Sequence, residues 1–201
     1  MKVKICGLSR PEDIAAVNTA QPDYCGFIID FPKSRRSIPW QELPKLRKLV
    51  SPNIGAVGVF VDAYIPMAAD LANRYALDAV QLHGHEPNSE IDWLRERTKV
   101  PIWKAFQVKS EETIGFANRS HADFVLLDAG QGGGTAFDWS LLDAMERPFA
   151  LAGGLSAENI PIALQTKAVL LDVSSGAETG GYKDPEKIQT IVSMIKGVSH
   201  V

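Results

Sequence analysis

The chain has 201 residues, of which 45% are hydrophobic and 22% are charged, and its formal net charge is −3 at pH 7. This length suits one domain with a sizeable buried core, and the composition is typical of a soluble globular enzyme. The slightly acidic balance argues against a nucleic-acid partner, and no apolar run approaches the roughly 20 residues that span a membrane.

Short β-branched runs alternate with helix-like stretches along the chain. The predicted strands cover residues 2–6, 24–29, 56–61, 79–83, 101–107, 123–128, 148–152 and 168–173. The predicted helices cover residues 11–19, 40–50, 65–76, 89–98, 111–119, 138–145, 157–166 and 185–196. Each strand is followed by a helix, so the pattern consists of eight β-then-α units.

The predicted strands are nearly continuous apolar runs, such as residues 124–127 and 168–171. Runs of this kind are typical of parallel strands that are buried on both faces. Eight units in one chain favour an α/β fold in which residues 1–201 form a single (β/α)8 TIM barrel. An open doubly wound sheet is the alternative, but no glycine-rich dinucleotide motif follows the first strand.

Two helix starts carry capping residues. Ser9, followed three residues later by Glu12, predicts a capping box at the first helix. Asp184, followed by Pro185, predicts an N-cap with proline at the first position of the last helix.

Polar and ionisable residues gather at the carboxyl ends of the predicted strands, where TIM barrels place their catalytic groups. The strand-end motifs are Lys4-Ile5-Cys6-Gly7, Gln81-Leu82-His83-Gly84, Leu127-Asp128-Ala129 and Asp172-Val173-Ser174-Ser175-Gly176. Strand alternation gives three same-face pairs, which are Lys4 with Cys6, Gln81 with His83, and Asp172 with Ser174. We expect these faces to point into the barrel, because burying such groups is costly unless they are paired or used.

The two cysteines differ in their position along their strands. Cys6 ends the first strand and is either a small core residue or a reactive thiol. Lys4 either lowers the pKa of this thiol or forms an ion pair with Asp172 on the neighbouring strand, and position alone favours the ion pair. Cys25 lies near the start of its strand and is predicted to be structural. No secretory signal precedes either residue, so we expect free thiols in the cytoplasm.

Three further side-chain groups have a structural and a functional interpretation. His83, His85 and Glu86 have the chemistry of metal ligands, but no third ligand follows the two histidines in a suitable position, so no metal site is predicted. Asp128 closes an apolar run and is expected to point into a site rather than to cap a helix. The basic run 33–36 is, by default, solvated surface.

Two glycine-containing loops follow the seventh and eighth strands and predict a phosphate site. Gly153-Gly154 and Ser174-Ser175-Gly176 offer backbone N–H groups and hydroxyls in the loops that bind phosphate in many TIM barrels. Tight turns that merely need glycine are the structural alternative. The stretch 130–134 is also glycine-rich, but no Lys-Ser/Thr follows it, so it is interpreted as a mobile loop over the barrel and not as a P-loop.

Ordered motifs extend from one end of the chain to the other. They cover residues 4–10, 31–36, 57–61, 80–84, 126–128, 137–139, 151–155, 171–178 and 183–188. Together they resemble the phosphoribosylanthranilate isomerase family of tryptophan biosynthesis, with the motifs of the first, fourth and eighth strands the most specific.

The resemblance implies an Amadori rearrangement of N-(5-phosphoribosyl)anthranilate, a small-molecule substrate, with no metal and no organic cofactor. It implies that Cys6 is the general base and Asp128 the general acid, and that Arg36 contacts the anthranilate part. It also implies that His83 and Asp172 line the substrate.

The phosphate would then lie on the cradle formed by residues 153–154 and 174–176, chiefly on the backbone of Gly154 and the Ser174–Gly176 turn. One departure from the family pattern lies after Asp128, where residues 133–136 lack the basic or amide side chain of the family. Members of such a family occur as monomers and as homodimers, and the sequence does not choose between these states.

Two rival functions remain at this point. A Schiff-base lyase would use Lys104 on the fifth strand as its nucleophile. A non-catalytic barrel that binds a phosphorylated ligand would keep the cradle, but it would have no need for Cys6 and Asp128 to face each other.

Overall fold

The computed structural model describes residues 1–128 and 139–197 of the chain. Within them, eight parallel strands follow one another around a ring: β1 Lys2–Cys6, β2 Tyr24–Ile29, β3 Gly55–Phe60, β4 Ala79–Leu82, β5 Ile102–Gln107, β6 Phe124–Asp128, β7 Phe149–Ala152 and β8 Leu170–Val173. The ring is closed because β1 pairs with both β2 and β8. A two-residue strand, Ser37–Ile38, adds to β2 beside the ring. The predicted TIM barrel is confirmed.

Seven α-helices pack around the barrel within these residues: α1 Pro11–Ala20, α2 Leu43–Arg47, α3 Ile65–Arg74, α4 Asn88–Arg95, α5 Glu111–Asn118, α6 Ile160–Ala163 and α7 Pro185–Lys196. The helix predicted near 138–145 is a 3-10 helix, Trp139–Ala144, and the one predicted at 157–166 is reduced to the single turn of α6. The short chain therefore completes its barrel by trimming helices. The glycine-rich stretch 130–134 lies outside the described residues.

A small hairpin that the sequence analysis did not predict follows β8. Glu178–Thr179 pairs antiparallel with Tyr182–Lys183, and Gly180 and Gly181 turn between them with φ of 58° and 91°. Glycine adopts such positive φ values without the steric penalty that other residues incur. Asp184 then caps α7 as predicted, with its carboxylate accepting from the two backbone N–H groups at the helix start.

The predicted capping box at the start of α1 is wrong by one residue. The carboxylate of Asp13, not of Glu12, accepts hydrogen bonds from the backbone N–H of Ser9 at 2.9 Å and of Arg10 at 3.1 Å. Arg10 is therefore the N-cap, and Pro11 takes the first helical position that its missing N–H favours. The Arg10 guanidinium holds the same carboxylate at 2.7 Å.

Side-chain alternation divides the barrel into an inner and an outer layer. The inner cluster contains Cys6, Val57, Val59, Ala79, Trp103, Ala105, Leu126, Ala150 and Leu170. Lys4, Gln81, Asp128 and Asp172 each lie two residues from a member of this cluster on the same strand, so they face inward as predicted. Lys104 lies between Trp103 and Ala105 and therefore faces the helices.

An ion pair joins β1 and β8, the two strands whose pairing closes the barrel. Lys4 pairs in register with Asp172 across β1 and β8, and its Nζ lies 2.8 Å from Asp172 Oδ2. Lys4 is completely buried. The ion pair favoured from sequence is therefore confirmed, and it pairs two charges that are costly to bury alone.

We expect Lys4→Met to lower the free energy of unfolding by roughly 3–5 kcal/mol, because Asp172 would stay buried without its partner. Urea unfolding followed by circular dichroism measures this change. Lys2→Met is the matched control, since Lys2 is exposed on the same strand. Equal urea midpoints for the two variants would show that the pair contributes nothing to stability.

Candidate active site

Cys6 and Asp128 occupy the same end of the barrel, which we call the mouth. Each is the last residue of its strand, β1 and β6 respectively, and all eight strands run in the same direction. Two strands separate β1 from β6 on one side of the ring and four on the other. A thiol and a carboxyl group thus approach the mouth from facing sides of the barrel.

The Cys6 thiol lies in a nearly closed environment beside Lys4. Gly26 faces it from β2, and a Cβ at that position would lie 2.8 Å from Cys6 Sγ and 3.1 Å from Lys4 Cε. Burial raises the pKa of the Cys6 thiol, and the Lys4 ammonium opposes this rise without overcoming it. Burial alone would lower the pKa of Lys4, but Asp172 raises it above its usual value. Burial therefore favours the protonated form of the thiol at neutral pH.

A chain of hydrogen bonds holds Asp128. Nε2 of His83 lies 3.1 Å from Asp128 Oδ2, and Nδ1 of His83 lies 3.1 Å from the amide nitrogen of Gln81. With the buried Gln81 amide donating to Nδ1, a neutral His83 carries its proton on Nε2 and donates it toward Asp128. His83 is thus brought to the mouth, as predicted, and there it contacts the candidate acid.

Arg36 is mostly buried, so the prediction of a solvated basic run is wrong for this residue. Its side chain is 13% exposed, whereas that of Arg35 is 60% exposed. The difference arises because Arg36 packs its stem over Gly7 and directs its guanidinium to Glu178, with Nε 2.5 Å from Oε1 and Nη2 2.9 Å from Oε2. Lys183 Nζ reaches the same carboxylate at 2.8 Å.

These cations set the charge state of Glu178. Burial by itself would raise the pKa of Glu178, but hydrogen bonds from Arg36 and Lys183 hold it at about 2. Burial lowers the pKa of Lys183 in spite of that contact. Glu178 is consequently a permanent anion at the mouth across the physiological pH range.

The predicted phosphate cradle, residues 153–154 and 174–176, presents free backbone donors. Gly153 and Gly154 have φ of 87° and 65°, and a Cβ at Gly176 would overlap the carbonyl oxygen of Leu155, so the two loops pack closely. No hydrogen bond within the described part of the chain uses the backbone N–H of Gly153, Gly154, Ser175 or Gly176. Ser174 Oγ donates to the Cys6 carbonyl at 3.1 Å, which ties the cradle to β1.

The metal-like residues after β4 form a structural network. The Glu86 carboxylate accepts from the backbone N–H groups of Asp62 and Gly84 and from Lys104 Nζ, at 2.8, 2.9 and 2.8 Å. His85 is exposed and pairs with Asp62 at 3.1 Å. In the two described ranges, no group of three or more His, Cys, Asp or Glu side chains is placed to hold a metal ion.

Three residues at the mouth were not predicted to be site residues: Gln81, Glu178 and Lys183. Gln81 was placed on the face of His83, but its contact with that ring is visible only in the structure. Glu178 and Lys183 depend on the hairpin. Its signal was present, because two glycines between short β-compatible segments are typical of a two-residue hairpin turn.

The matching family model and the sequence relatives agree on one family. A family model described as "PRAI: N-(5'phosphoribosyl)anthranilate (PRA) isomerase" matches residues 3–194. The N-(5'-phosphoribosyl)anthranilate isomerase of Endomicrobium trichonymphae is 40% identical, over 98% of this chain and 99% of that protein. The chain belongs to the N-(5'-phosphoribosyl)anthranilate isomerase family. The isomerase of Caldanaerobacter subterraneus subsp. tengcongensis is 38% identical, over 98% of this chain and 99% of its own length.

Solved isomerase structures of the family share the fold. The crystal structure from Thermotoga maritima has a TM-score of 0.86 at 32% identity and covers 98% of this chain and 100% of that one. An isomerase in complex with reduced 1-(o-carboxyphenylamino)-1-deoxyribulose 5-phosphate has a TM-score of 0.84 at 33% identity, with 98% and 100% covered. The described helices of this isomerase-family chain include none that is long and apolar enough to cross a bilayer.

We expect the two thiols to differ in reactivity with iodoacetamide. Cys6 lies at the mouth and should react slowly at pH 7 and faster as the pH rises toward 9, because burial raises its pKa. Cys25 is fully buried with a pKa raised to about 12, so it should react only after unfolding in urea. Mass spectrometry of the labelled peptides measures both rates, and equal labelling of the folded protein at both sites would contradict the structure.

Proposed function

We propose that this chain converts N-(5'-phosphoribosyl)anthranilate into 1-(2-carboxyphenylamino)-1-deoxyribulose 5-phosphate in tryptophan biosynthesis, by general acid–base catalysis without metal or organic cofactor. The observation that carries the proposal is the arrangement of Cys6 and Asp128 at the mouth, with the free N–H groups of the phosphate cradle beside them. Membership of the isomerase family names the reaction that this arrangement serves.

Ring opening is the first step. Asp128 donates its proton to the ring oxygen of the ribose, and the bond between C1 and that oxygen breaks. The anthranilate nitrogen supplies the electron pair, so a protonated Schiff base forms between it and C1. His83 donates toward the resulting Asp128 carboxylate and stabilises it.

Proton removal is the second step. The Schiff-base cation makes the C2 proton acidic, and the Cys6 thiolate removes it from the opposite side of the sugar. The resulting enolamine tautomerises to the ketone. Because burial favours the protonated thiol, the thiolate needs the support of nearby positive charge, which Lys4 and the substrate cation both supply.

Substrate binding uses the remaining mouth residues. The phosphate accepts hydrogen bonds from the backbone of residues 153–154 and 174–176, where the amides are already oriented. Arg36 contacts the anthranilate part. Asp172 faces the substrate while it fixes Lys4, and His83 does so while it contacts Asp128.

The rival lyase function has little support. Lys104 faces away from the barrel interior, and its Nζ is engaged by Glu86 at 2.8 Å and by the Gly84 carbonyl at 2.6 Å. A Schiff-base nucleophile must instead reach the substrate with a free amine. A barrel that only binds a phosphorylated ligand would not need the Cys6 thiol and the Asp128 carboxyl to face each other. Borohydride trapping with substrate should therefore leave Lys104 unmodified.

The cellular setting is also part of the proposal. We place the chain in the cytoplasm, supported by two cysteines that remain unpaired, as a reducing compartment favours. We propose that the chain acts as a monomer or as a homodimer. One related solved structure is named for monomers generated from the dimeric isomerase of Thermotoga maritima.

We expect Cys6→Ser and Asp128→Asn each to lower kcat by about 10²–10⁴-fold, because each removes one proton-transfer group. The fluorescence change that accompanies conversion of the anthranilate substrate measures the rate. Cys25→Ser and Asp123→Asn are the matched controls, since they make the same chemical changes away from the mouth and should keep kcat within about threefold.

Near wild-type kcat in either Cys6→Ser or Asp128→Asn, with circular dichroism confirming the fold, would show that the assignment of base or acid is wrong.

We expect Gly154→Ala to raise KM and the inhibition constant of inorganic phosphate about tenfold. The added methyl would project into open space beside donors that a phosphate oxygen must approach closely. Gly197→Ala is the control, because its φ of 68° and open surroundings match the φ of 65° at Gly154, so both variants carry the same backbone strain. Equal inhibition constants for inorganic phosphate in the two variants would show that the cradle is not the phosphate site.

A further inference from the structure

We propose that Glu178 is a positioning residue that fixes the guanidinium of Arg36 for the carboxylate on the anthranilate ring. The inference rests on the proposed function, because it assumes that Arg36 meets the anthranilate part of the substrate. It adds a residue that would act on substrate recognition through Arg36 and not through direct contact with the reacting atoms.

The contact between Glu178 and Arg36 is a two-point clamp. Nε of Arg36 lies 2.5 Å from Oε1 of Glu178, and Nη2 lies 2.9 Å from Oε2. Such a bidentate contact fixes both the plane and the rotation of the guanidinium. The Nη1 group makes neither of these contacts, and we infer that it meets the ligand carboxylate.

Glu178 is itself rigidly placed. Its side chain is 4% exposed, and Lys183 Nζ and Arg35 Nη2 hold its two oxygens at 2.8 and 2.6 Å. Lys187 Nζ also donates to its backbone carbonyl at 2.7 Å. A group anchored in this way can hold Arg36 in one orientation before any ligand arrives, which removes an ordering cost from binding.

The local charge favours one further anion. Three cations, Arg35, Arg36 and Lys183, surround the single carboxylate of Glu178, which is ionised at neutral pH. These four side chains therefore carry a net positive charge at a partly buried position. A ligand carboxylate placed there gains more from this charge than it would in open water.

The space beside the clamp fits a ring carrying such a carboxylate. A cavity of about 280 Å³ lies beside the clamp, and Gly7, Arg36, Glu178 and Lys183 are among the residues that line it. Asp13 also lines it, with its carboxylate already paired to Arg10 at 2.7 Å. A Cβ at Gly7 would lie 2.6 Å from Arg36 Cδ, so the bare backbone lets the arginine stem cross directly over it. Because Gly7 follows Cys6, the clamp lies next to the candidate base.

The test compares two ligands, reduced 1-(2-carboxyphenylamino)-1-deoxyribulose 5-phosphate and the same compound without the ring carboxylate. Isothermal titration gives the ratio of their dissociation constants for each protein. We expect wild type to prefer the carboxylated ligand by about tenfold or more. We expect Glu178→Gln to lose most of this preference, because a neutral amide with one oxygen cannot hold Arg36 at two points.

Glu186→Gln is the matched control, because it makes the same change on an exposed residue at the start of α7 and should keep the full preference. Glu178→Gln also leaves the buried Lys183 unpaired, which endangers folding. Glu178→Asp keeps the charge for Lys183 but draws it back from Arg36, so a partial loss of preference is expected. If Glu178→Gln does not fold, the ligand preference of Glu178→Asp tests the inference instead.

Several results would overturn the inference: no preference in wild type, an unchanged or greater preference in folded Glu178→Gln, or a full preference in folded Glu178→Asp. Failure of the proposed function gives a different result, since wild type would then bind neither ligand and would not isomerise the substrate. If wild type isomerises the substrate and the preference for the carboxylated ligand survives both substitutions, the role of Glu178 is contradicted and the proposed function is not.

Discussion

The buried ion pair between Lys4 and Asp172 joins the fold to the site. It bridges β1 and β8, the two strands whose pairing closes the barrel, and it places an ammonium group beside Cys6. An apolar pair of similar volume often stabilises a core equally well, so stability alone does not require charges here. A cation beside the thiol does require them, so under the proposed mechanism the same contact serves both barrel closure and chemistry.

A second buried carboxylate, Glu178, plays a parallel part near Cys6. Asp172 holds Lys4 through one hydrogen bond and Glu178 holds Arg36 through two, and all four side chains are largely buried. Cations fixed in this way need not reorganise when charge develops on a bound substrate, which is the main source of electrostatic catalysis in enzymes. The mouth is thus organised by anions that themselves need not touch the reacting atoms.

The strand order, the inward faces of Lys4 and Asp172 and the glycine-containing loops of the proposed phosphate cradle could be predicted from local sequence. Apolar runs, two-residue alternation and glycine-containing loops are all short-range signals. The lengths of the outer helices could not be predicted in this way, since tertiary packing decides where a weak helix ends. The burial of Arg36 also escapes local reasoning: it depends on Glu178, which lies 142 residues further along the chain.

Gly26 on β2 restricts how this scaffold can be remodelled. Its missing side chain is the volume that Cys6 and Lys4 occupy, so every other amino acid at this position would displace one of them. Attempts to install a new activity in the barrel would therefore gain little from randomising the middle of β2. Diversity introduced into the connecting segments above the rim offers a broader set of viable variants.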